Sequence, residues 1–207
     1  ITNMGAEIGA TCSVFEYDKR METYLRSTNR TDIAEIANQN LDILTQDREI
    51  NDNPEKYFDH IIRIDLSTLE PYIVGPHTPD LGRPISQMKD DVSRNNYIDK
   101  ISVALIGSCT NSSYEDMSRA SGIAQQADRK GAKTKTSLLV TPGSEMIRAT
   151  IERDGQMKAL KDIGATVLAN ACGPCIGQWS RPEIKIGEPN TIVTSYNRNF
   201  PGRNDGK

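Results

Sequence analysis

Apolar positions in the first part of the chain recur mostly at helical spacing. Between residues 31 and 44 they lie three or four apart, which predicts one helix with Thr31 or Asp32 as its N-cap. A run over 60–66 alternates apolar and polar residues and predicts a strand. Two polar stretches complete this part, a helix predicted over 18–26 and a surface loop predicted over 46–55.

After residue 100 the pattern changes to short apolar runs that alternate with amphipathic stretches. The runs predict strands over 101–106, 136–141, 166–169 and 191–195, and the stretches predict helices over 112–129, 142–153 and 156–163. Ser112 and Glu115 fit a capping box at the start of the first of these helices. The alternation predicts an α/β fold with parallel-rich sheets flanked by helices.

Prolines and glycines are dense between these two parts. They are Pro71, Gly75, Pro76, Pro79, Gly82 and Pro84. Because such residues interrupt helices and central strands, we predict an extended linker over 71–84. The expected domains are 1–70, the C-terminal part of a preceding α/β domain, and 85–207, an α/β domain incomplete at its C-terminus. The chain begins at Ile1 and ends in a polar, turn-like segment, so we expect a piece of a longer protein.

Charge and hydropathy exclude several functional classes. The 207 residues carry a formal net charge of -3, with no basic excess for binding nucleic acid or a membrane surface. No apolar run approaches the roughly 18 residues of a membrane-spanning helix. Residues 1–10 lack the basic and apolar regions of a signal peptide.

The four cysteines are too few for a disulfide-stapled secreted domain, and they indicate a reducing compartment. Cys109 follows the predicted strand 101–106, and Cys172 and Cys175 follow the predicted strand 166–169. Because loops at the carboxyl ends of parallel strands meet at one edge of the sheet, these three sulfurs could converge. Cys12 is expected to be a buried thiol, and His60 and His77 match no catalytic pattern.

The cysteine spacing leaves several interpretations open. Three thiolates can hold an iron–sulfur cluster and leave one iron without a protein ligand. A Cys-x-x-Cys pair can be a redox couple, although Pro174 and Gly177 favour a turn over the helix start that such a pair needs. A zinc site with Cys12 as fourth ligand lacks the usual paired knuckles. A buried structural role is the remaining possibility.

Four segments occur together in this chain. They are Asn3-Met-Gly-Ala-Glu7-Ile-Gly, Gly107-Ser-Cys109-Thr-Asn-Ser, Cys172-Gly-Pro-Cys175-Ile-Gly-Gln-Trp179 and Asn197-Arg-Asn-Phe-Pro-Gly-Arg203. With them the chain resembles the aconitase family over nearly its whole length. Gly-Pro between the paired cysteines and the following Gln-Trp are most similar to its mitochondrial branch.

The resemblance implies an aconitase-like three-layer α/β/α fold and a hydro-lyase that interconverts citrate and isocitrate through cis-aconitate. It implies a [4Fe–4S] cluster, a small tricarboxylate substrate and a mitochondrial matrix location. The site residues that it implies are the cluster ligands Cys109, Cys172 and Cys175, the catalytic residues Asn3, Glu7 and Asn197, and the carboxylate-binding Arg198 and Arg203. The family's serine base, further arginines and Asp–His pairs match no segment here, so we expect the chain to be inactive without the remainder of the parent polypeptide.

Related functions remain as alternatives. Homoaconitase and 3-isopropylmalate dehydratase share the cysteine pattern and differ in the residues that read the substrate's side chain. An RNA-binding regulator that uses the cluster-free form of the same fold is disfavoured by the negative net charge. A zinc-bound structural module is the third alternative, and it would lack the visible absorbance of an iron–sulfur cluster.

Overall fold

A computed structural model of the chain describes residue 5 and residues 9–207. The chain divides into two compact units, Ile1–Leu69 and Glu70–Lys207. The assignment of these units to domains of a longer protein stays a prediction. None of the helices in the described ranges has the length and apolar character needed to cross a membrane.

The first unit is helical. Its elements are α1 (Lys19–Ser27), α2 (Thr31–Gln39), α3 (Leu41–Leu44), α4 (Arg48–Asp52) and a 3₁₀ turn (Pro54–Lys56). The predicted polar helix is confirmed as α1, which begins after Asp18, whose carboxylate accepts a hydrogen bond from the Met21 backbone N–H at 2.8 Å. Glu22 is buried on α1 and forms ion pairs with Lys19 at 2.6 Å and Arg26 at 2.9 Å.

The predicted helix over 31–44 is two helices, because the backbone leaves helical geometry at Asn40. The Asn40 side chain donates to the Ile36 carbonyl at 2.8 Å, the type of local bond by which asparagine competes with a helix. The N-cap prediction was also wrong, since Arg30 holds that position without a side-chain cap.

Two further predictions for this unit were wrong. The loop expected over 46–55 contains α4 and the 3₁₀ turn, and proline is tolerated at the start of that turn because its nitrogen needs no partner there. No strand forms over 60–66 in the described part of the chain. Ile62 and Ile64 are 83% and 65% exposed there, and an alternating run becomes a strand only when a neighbouring strand pairs with it.

The segment 71–84, expected to be an extended linker, forms a hairpin in the second unit. Strands β1 (Tyr72–Val74) and β2 (Gly82–Pro84) pair antiparallel. Prolines are compatible with this hairpin because both strands of a two-stranded ribbon are edges. Arg83 is buried beneath the turn, where it donates to the Gly75 carbonyl at 2.5 Å and forms an ion pair with Asp91 at 2.6 Å.

The rest of the second unit is an α/β fold. Its elements are a 3₁₀ turn (Ile85–Gln87), α5 (Met88–Asn95), β3 (Ile101–Gly107), α6 (Tyr114–Arg129), β4 (Ser137–Thr141), α7 (Glu145–Arg153), α8 (Gln156–Asp162), β5 (Ala165–Val167), a 3₁₀ turn (Gly173–Ile176) and β6 (Thr191–Thr194). Strands β3 to β6 form a parallel sheet in the order β5-β4-β3-β6. The predicted class, a parallel sheet flanked by helices, is confirmed.

The core of this unit lies between the sheet and helices α6, α7 and α8. Its buried members are Met117, Ala124, Val140, Ile151, Met157, Leu160 and Ala165. The predicted capping box is present but displaced by one residue, since Ser113 and Asp116 form it. Ser112 is buried instead, and its hydroxyl donates to the Thr141 carbonyl at 2.7 Å, which ties the start of α6 to the end of β4.

Candidate functional site

The strand order places a crevice at the carboxyl ends of β3 and β6. The chain runs from β3 through β4 to β5 on one side of the sheet and then returns to place β6 on the other side of β3. In open α/β sheets, ligands bind outside the carboxyl ends of the strands at such a reversal. The residues that follow these strands are therefore the candidates for a site.

The loop after β3 turns sharply and carries Cys109 outward. Gly107 and Ser108 both have positive φ values, 126° and 108°, and Ser108 is buried in this sparsely populated conformation. A Cβ atom at position 107 would collide with the Thr141 carbonyl of β4, so the turn requires glycine. The Cys109 thiol is exposed, with its Sγ 3.7 Å from the Thr110 hydroxyl.

The segment after β6 is bound to this loop. The Asn111 amide donates to the Ser195 carbonyl at 2.5 Å and to Asn197 Oδ1 at 3.0 Å. The Gly107 N–H donates to the Ser195 hydroxyl at 2.9 Å. These bonds fix the orientation of the Asn197 side chain relative to the Cys109 loop.

The loop after β5 carries the other two cysteines in a 3₁₀ turn. The Cys175 N–H donates to the Cys172 carbonyl at 2.7 Å, and the turn ends at Gly177 with φ 83°. The expected turn is confirmed in place of an α-helix start. The Cys172 thiol is exposed, and Cys175 is half-buried.

The same segment after β6 reaches this second loop further along. The Asn204 amide donates to the Pro174 carbonyl at 2.9 Å. The Arg203 guanidinium lies 5.1 Å from the centroid of the Phe200 ring, and its buried Nε–H has no hydrogen-bond partner among the described residues. Arg198 is exposed. A half-buried arginine with an unused donor is suited to binding an anion.

Tyr196, in the segment after β6, lies near Cys175 of the cysteine pair. Burial, together with a smaller electrostatic contribution from Cys175, raises the pKa of Tyr196 to about 12. Its phenol is therefore neutral at physiological pH and can donate a hydrogen bond. Neither Tyr196 nor Asn111 was a predicted site residue. Their positions in the loops after β6 and β3 are the feature of the sequence that could have indicated them.

Both cysteine loops lie within a match to a known protein family. The model of the "Aconitase family (aconitate hydratase)" matches residues 1–207. The chain belongs to the aconitase family.

Curated relatives of this aconitase-family chain match it along its whole length. The probable mitochondrial aconitate hydratase of Dictyostelium discoideum is 58% identical over 205 residues, which are 99% of this chain and 26% of that protein. The mitochondrial aconitate hydratase of Schizosaccharomyces pombe is 57% identical over 99% of this chain and 25% of that protein. The Saccharomyces cerevisiae enzyme of the same name is 57% identical over 100% and 26%. The chain thus spans about a quarter of the length of these relatives.

A solved structure, the holo form of aconitase X from Thermococcus kodakaraensis, is similar with a TM-score of 0.36 and 20% identity. It covers 56% of this chain and 28% of that chain.

The predicted site residues stand as follows in the structure. Asn197 accepts a hydrogen bond from Asn111 of the Cys109 loop, and the side-chain amide of Asn204, next to Arg203, donates to the Cys172–Cys175 turn. Asn3 and Glu7 lie outside the described residues. His60 and His77 are exposed. The expectation that Cys12 is buried was wrong, because its thiol is exposed.

The donor set of the aconitase-family chain fits an iron–sulfur cluster in its chemistry. Three free thiols lie in loops at the carboxyl edge of one sheet, where backbone amides and an arginine are also available. Across residue 5 and residues 9–207, no three Cys, His, Asp or Glu side chains already form a group that could hold a metal ion. The assignment of the three cysteines as ligands therefore stays a prediction.

Proposed function

We propose that the full-length protein containing this chain is a mitochondrial hydro-lyase that interconverts citrate and isocitrate through cis-aconitate. Membership of the aconitase family and the names of the close relatives support this proposal. The structural observation that carries it is that the segment after β6 is hydrogen-bonded to both cysteine loops. One edge of the sheet thus combines thiols with arginine and asparagine side chains, which are suited to binding carboxylates.

The cofactor would be held by the three cysteines of the two loops. Cys109, Cys172 and Cys175 would ligate a [4Fe–4S] cluster, and its iron without a cysteine ligand would supply a Lewis acid for loss of a hydroxyl group from a β-hydroxy acid. The turn residues Gly107 and Gly177 allow the backbone conformations that present these thiols.

Substrate binding would fall to the segment after β6. The guanidinium groups of Arg198 and Arg203 are planar donors that match carboxylates in a bidentate geometry. The amide of Asn197, oriented by Asn111, would position the substrate beside the Cys109 loop. The neutral phenol of Tyr196 adds a donor that does not repel a tricarboxylate.

We further propose Asn3 and Glu7 as catalytic residues, with Glu7 acting near the leaving hydroxyl group. The partner is a small tricarboxylate, and the net charge of -3 gives no support to binding of nucleic acid or a membrane. We expect the chain to need the remainder of the parent polypeptide for catalysis, since it spans only about a quarter of its relatives.

A substrate panel on the full-length protein tests the proposed function. Cis-aconitate, homoaconitate and 2-isopropylmaleate are offered to the anaerobically reconstituted enzyme, and hydration is followed by loss of the conjugated double bond. We expect cis-aconitate to be hydrated with the highest kcat/KM of the three. A higher kcat/KM for either of the other two substrates would assign a sister hydro-lyase, and no hydration of any of them would refute the proposal.

A further inference from the structure

We infer that the buried ion pair between Arg181 and Asp205 is a positioning clasp that holds Arg203 in place for substrate binding. This inference rests on the proposed function and deepens it, since it concerns how the carboxylate-binding segment is fixed to the cysteine-pair loop. Neither residue contacts the reacting groups, and both act through their neighbours.

The pair is buried and closely packed. The side chains of Arg181 and Asp205 are 3% and 2% exposed, and Arg181 Nε donates to Asp205 Oδ2 at 2.5 Å. A second guanidinium nitrogen donates to Asn190 Oδ1 at 2.8 Å, and the group lies 4.9 Å from the centroid of the Trp179 ring. The Arg181 side chain is therefore fixed in orientation by an anion, an amide and an aromatic face.

Lys207 also holds the segment that carries Asp205, on its C-terminal side. The Lys207 ammonium donates to the carbonyls of Arg181 and Ile184, the latter at 2.6 Å. The Lys207 N–H donates to Asp205 Oδ1 at 3.1 Å, so both carboxylate oxygens of Asp205 are bonded. These contacts anchor the backbone immediately after Arg203.

The residues on the near side of the clasp contact the cysteine-pair loop. The Asn204 amide donates to the Pro174 carbonyl at 2.9 Å. The Arg203 carbonyl lies so close to Gly177 that a Cβ atom there would stand 3.1 Å away. A shift of the Asp205 backbone would therefore move Arg203 relative to Cys175.

The energetics of a buried pair favour an orienting role over a stabilising one. Desolvation of two charges offsets most of their attraction, so such a pair is a weak source of net stability. A planar guanidinium binds a carboxylate in few orientations, so the pair fixes the relative orientation of Arg181 and Asp205. That geometry is useful because Arg203, which must meet a substrate carboxylate, lies two residues before Asp205 in the chain.

The substitution Asp205→Asn in the full-length enzyme tests the clasp. Since misplacement of a binding group by about 1 Å can cost about 100-fold, we expect kcat/KM to fall by about 10- to 100-fold. Most of the change is expected in KM for cis-aconitate, with the visible absorbance of the reconstituted enzyme unchanged. Glu115→Gln is the matched control, because it removes the same charge from the exposed pair with Arg119 on α6.

Hydrogen–deuterium exchange on the cluster-free protein gives a readout that does not depend on activity. Amides of the Cys172–Cys175 turn and of residues 200–206 are expected to exchange faster together in Asp205→Asn and to be unchanged in Glu115→Gln. Unchanged KM and unchanged exchange would overturn the inference. A joint loss of folded protein, absorbance and kcat at constant KM would also overturn it, because that pattern indicates a role in folding only.

A second variant decides the case if Asp205→Asn does not fold. Arg181→Lys keeps the positive charge and removes the guanidinium bonds to Asp205 and Asn190. A rise in KM with faster exchange in the turn supports the clasp, and the absence of both overturns it. If the wild-type enzyme does not hydrate cis-aconitate, the proposed function fails, and the exchange data still decide whether the ion pair fixes the two loops.

Discussion

At the scale of the residue, backbone conformation decides where the Cys109 thiol lies. Gly107 and Ser108 occupy consecutive positive φ values directly after β3, and the neighbouring strand leaves no room for a side chain at position 107. Strained backbone of this kind persists where the surrounding structure imposes it and is concentrated at functional sites. The strain here presents a thiol at the crevice between β3 and β6.

The substitution Gly107→Ala is predicted to destabilise the chain. An alanine Cβ would collide with the Thr141 carbonyl in a conformation that L-residues rarely adopt, and we expect a loss of about 1–3 kcal/mol in the free energy of unfolding. Urea denaturation followed by circular dichroism measures this loss. Gly122→Ala is the matched control, since no atom lies within 4 Å of its Cβ position on α6 and it should gain about 0.5–1 kcal/mol. Equal stability of the two variants would contradict the explanation.

The sequence could place the cysteines but not their partners. The positions of Cys109, Cys172 and Cys175 after strands follow from local apolar patterns, which the structure confirms as strands followed by loops. The contact of Asn111 with Asn197 joins residues far apart in the chain, as does that of Arg181 with Asp205. Such pairings depend on the assembled sheet, and no local pattern specifies them.

At the scale of the element, the predictions of strands and helices succeeded where these elements pack against one another within the second unit. The strands and helices after residue 100 were predicted to within a few residues because they bury their apolar faces against one another. The strand expected over 60–66 did not form, because no strand among residues 9–207 pairs with it. The segment 71–84 forms a hairpin instead of the expected extended conformation, and the buried Arg83 side chain holds the hairpin turn by donating to backbone carbonyls.

The contact between α1 and α2 predicts a pH dependence. Hydrogen bonds from Lys19, Arg26 and Asn38 lower the pKa of Glu22 from 4.5 to about 2. Because the unfolded chain takes up the proton at higher pH than the folded one, this stabilisation is complete above about 4.5 and is lost as pH falls toward 2. Helical circular dichroism during urea unfolding at several pH values measures it.

The substitution Glu22→Gln tests this dependence directly. We expect the variant to be less stable than the wild type at neutral pH and the difference to shrink as pH falls. Glu35→Gln, an exposed position on α2, is the control and should leave the pH profile unchanged. A constant difference between Glu22→Gln and the wild type from pH 7 to pH 3 would show that Glu22 acts by packing and not by charge.

At the scale of the whole molecule, the strand order gathers three chain segments at one edge. The loops after β3 and β5 carry thiols, and the segment after β6 is hydrogen-bonded to both loops. The chain belongs to the aconitase family, and it spans about a quarter of the length of its relatives. We propose that the three thiols of this edge together hold an iron–sulfur cluster.

Anaerobic reconstitution with iron and sulfide tests that claim most directly. The full-length protein and its variants Cys109→Ser, Cys172→Ser, Cys175→Ser and Cys12→Ser are compared by visible absorbance, which arises from sulfur-to-iron charge transfer. We predict stable absorbance for the wild type and for Cys12→Ser, whose thiol lies in the other unit, and its loss in each of the other three. Stable wild-type absorbance in any of those three variants, or its loss in Cys12→Ser alone, would contradict the account.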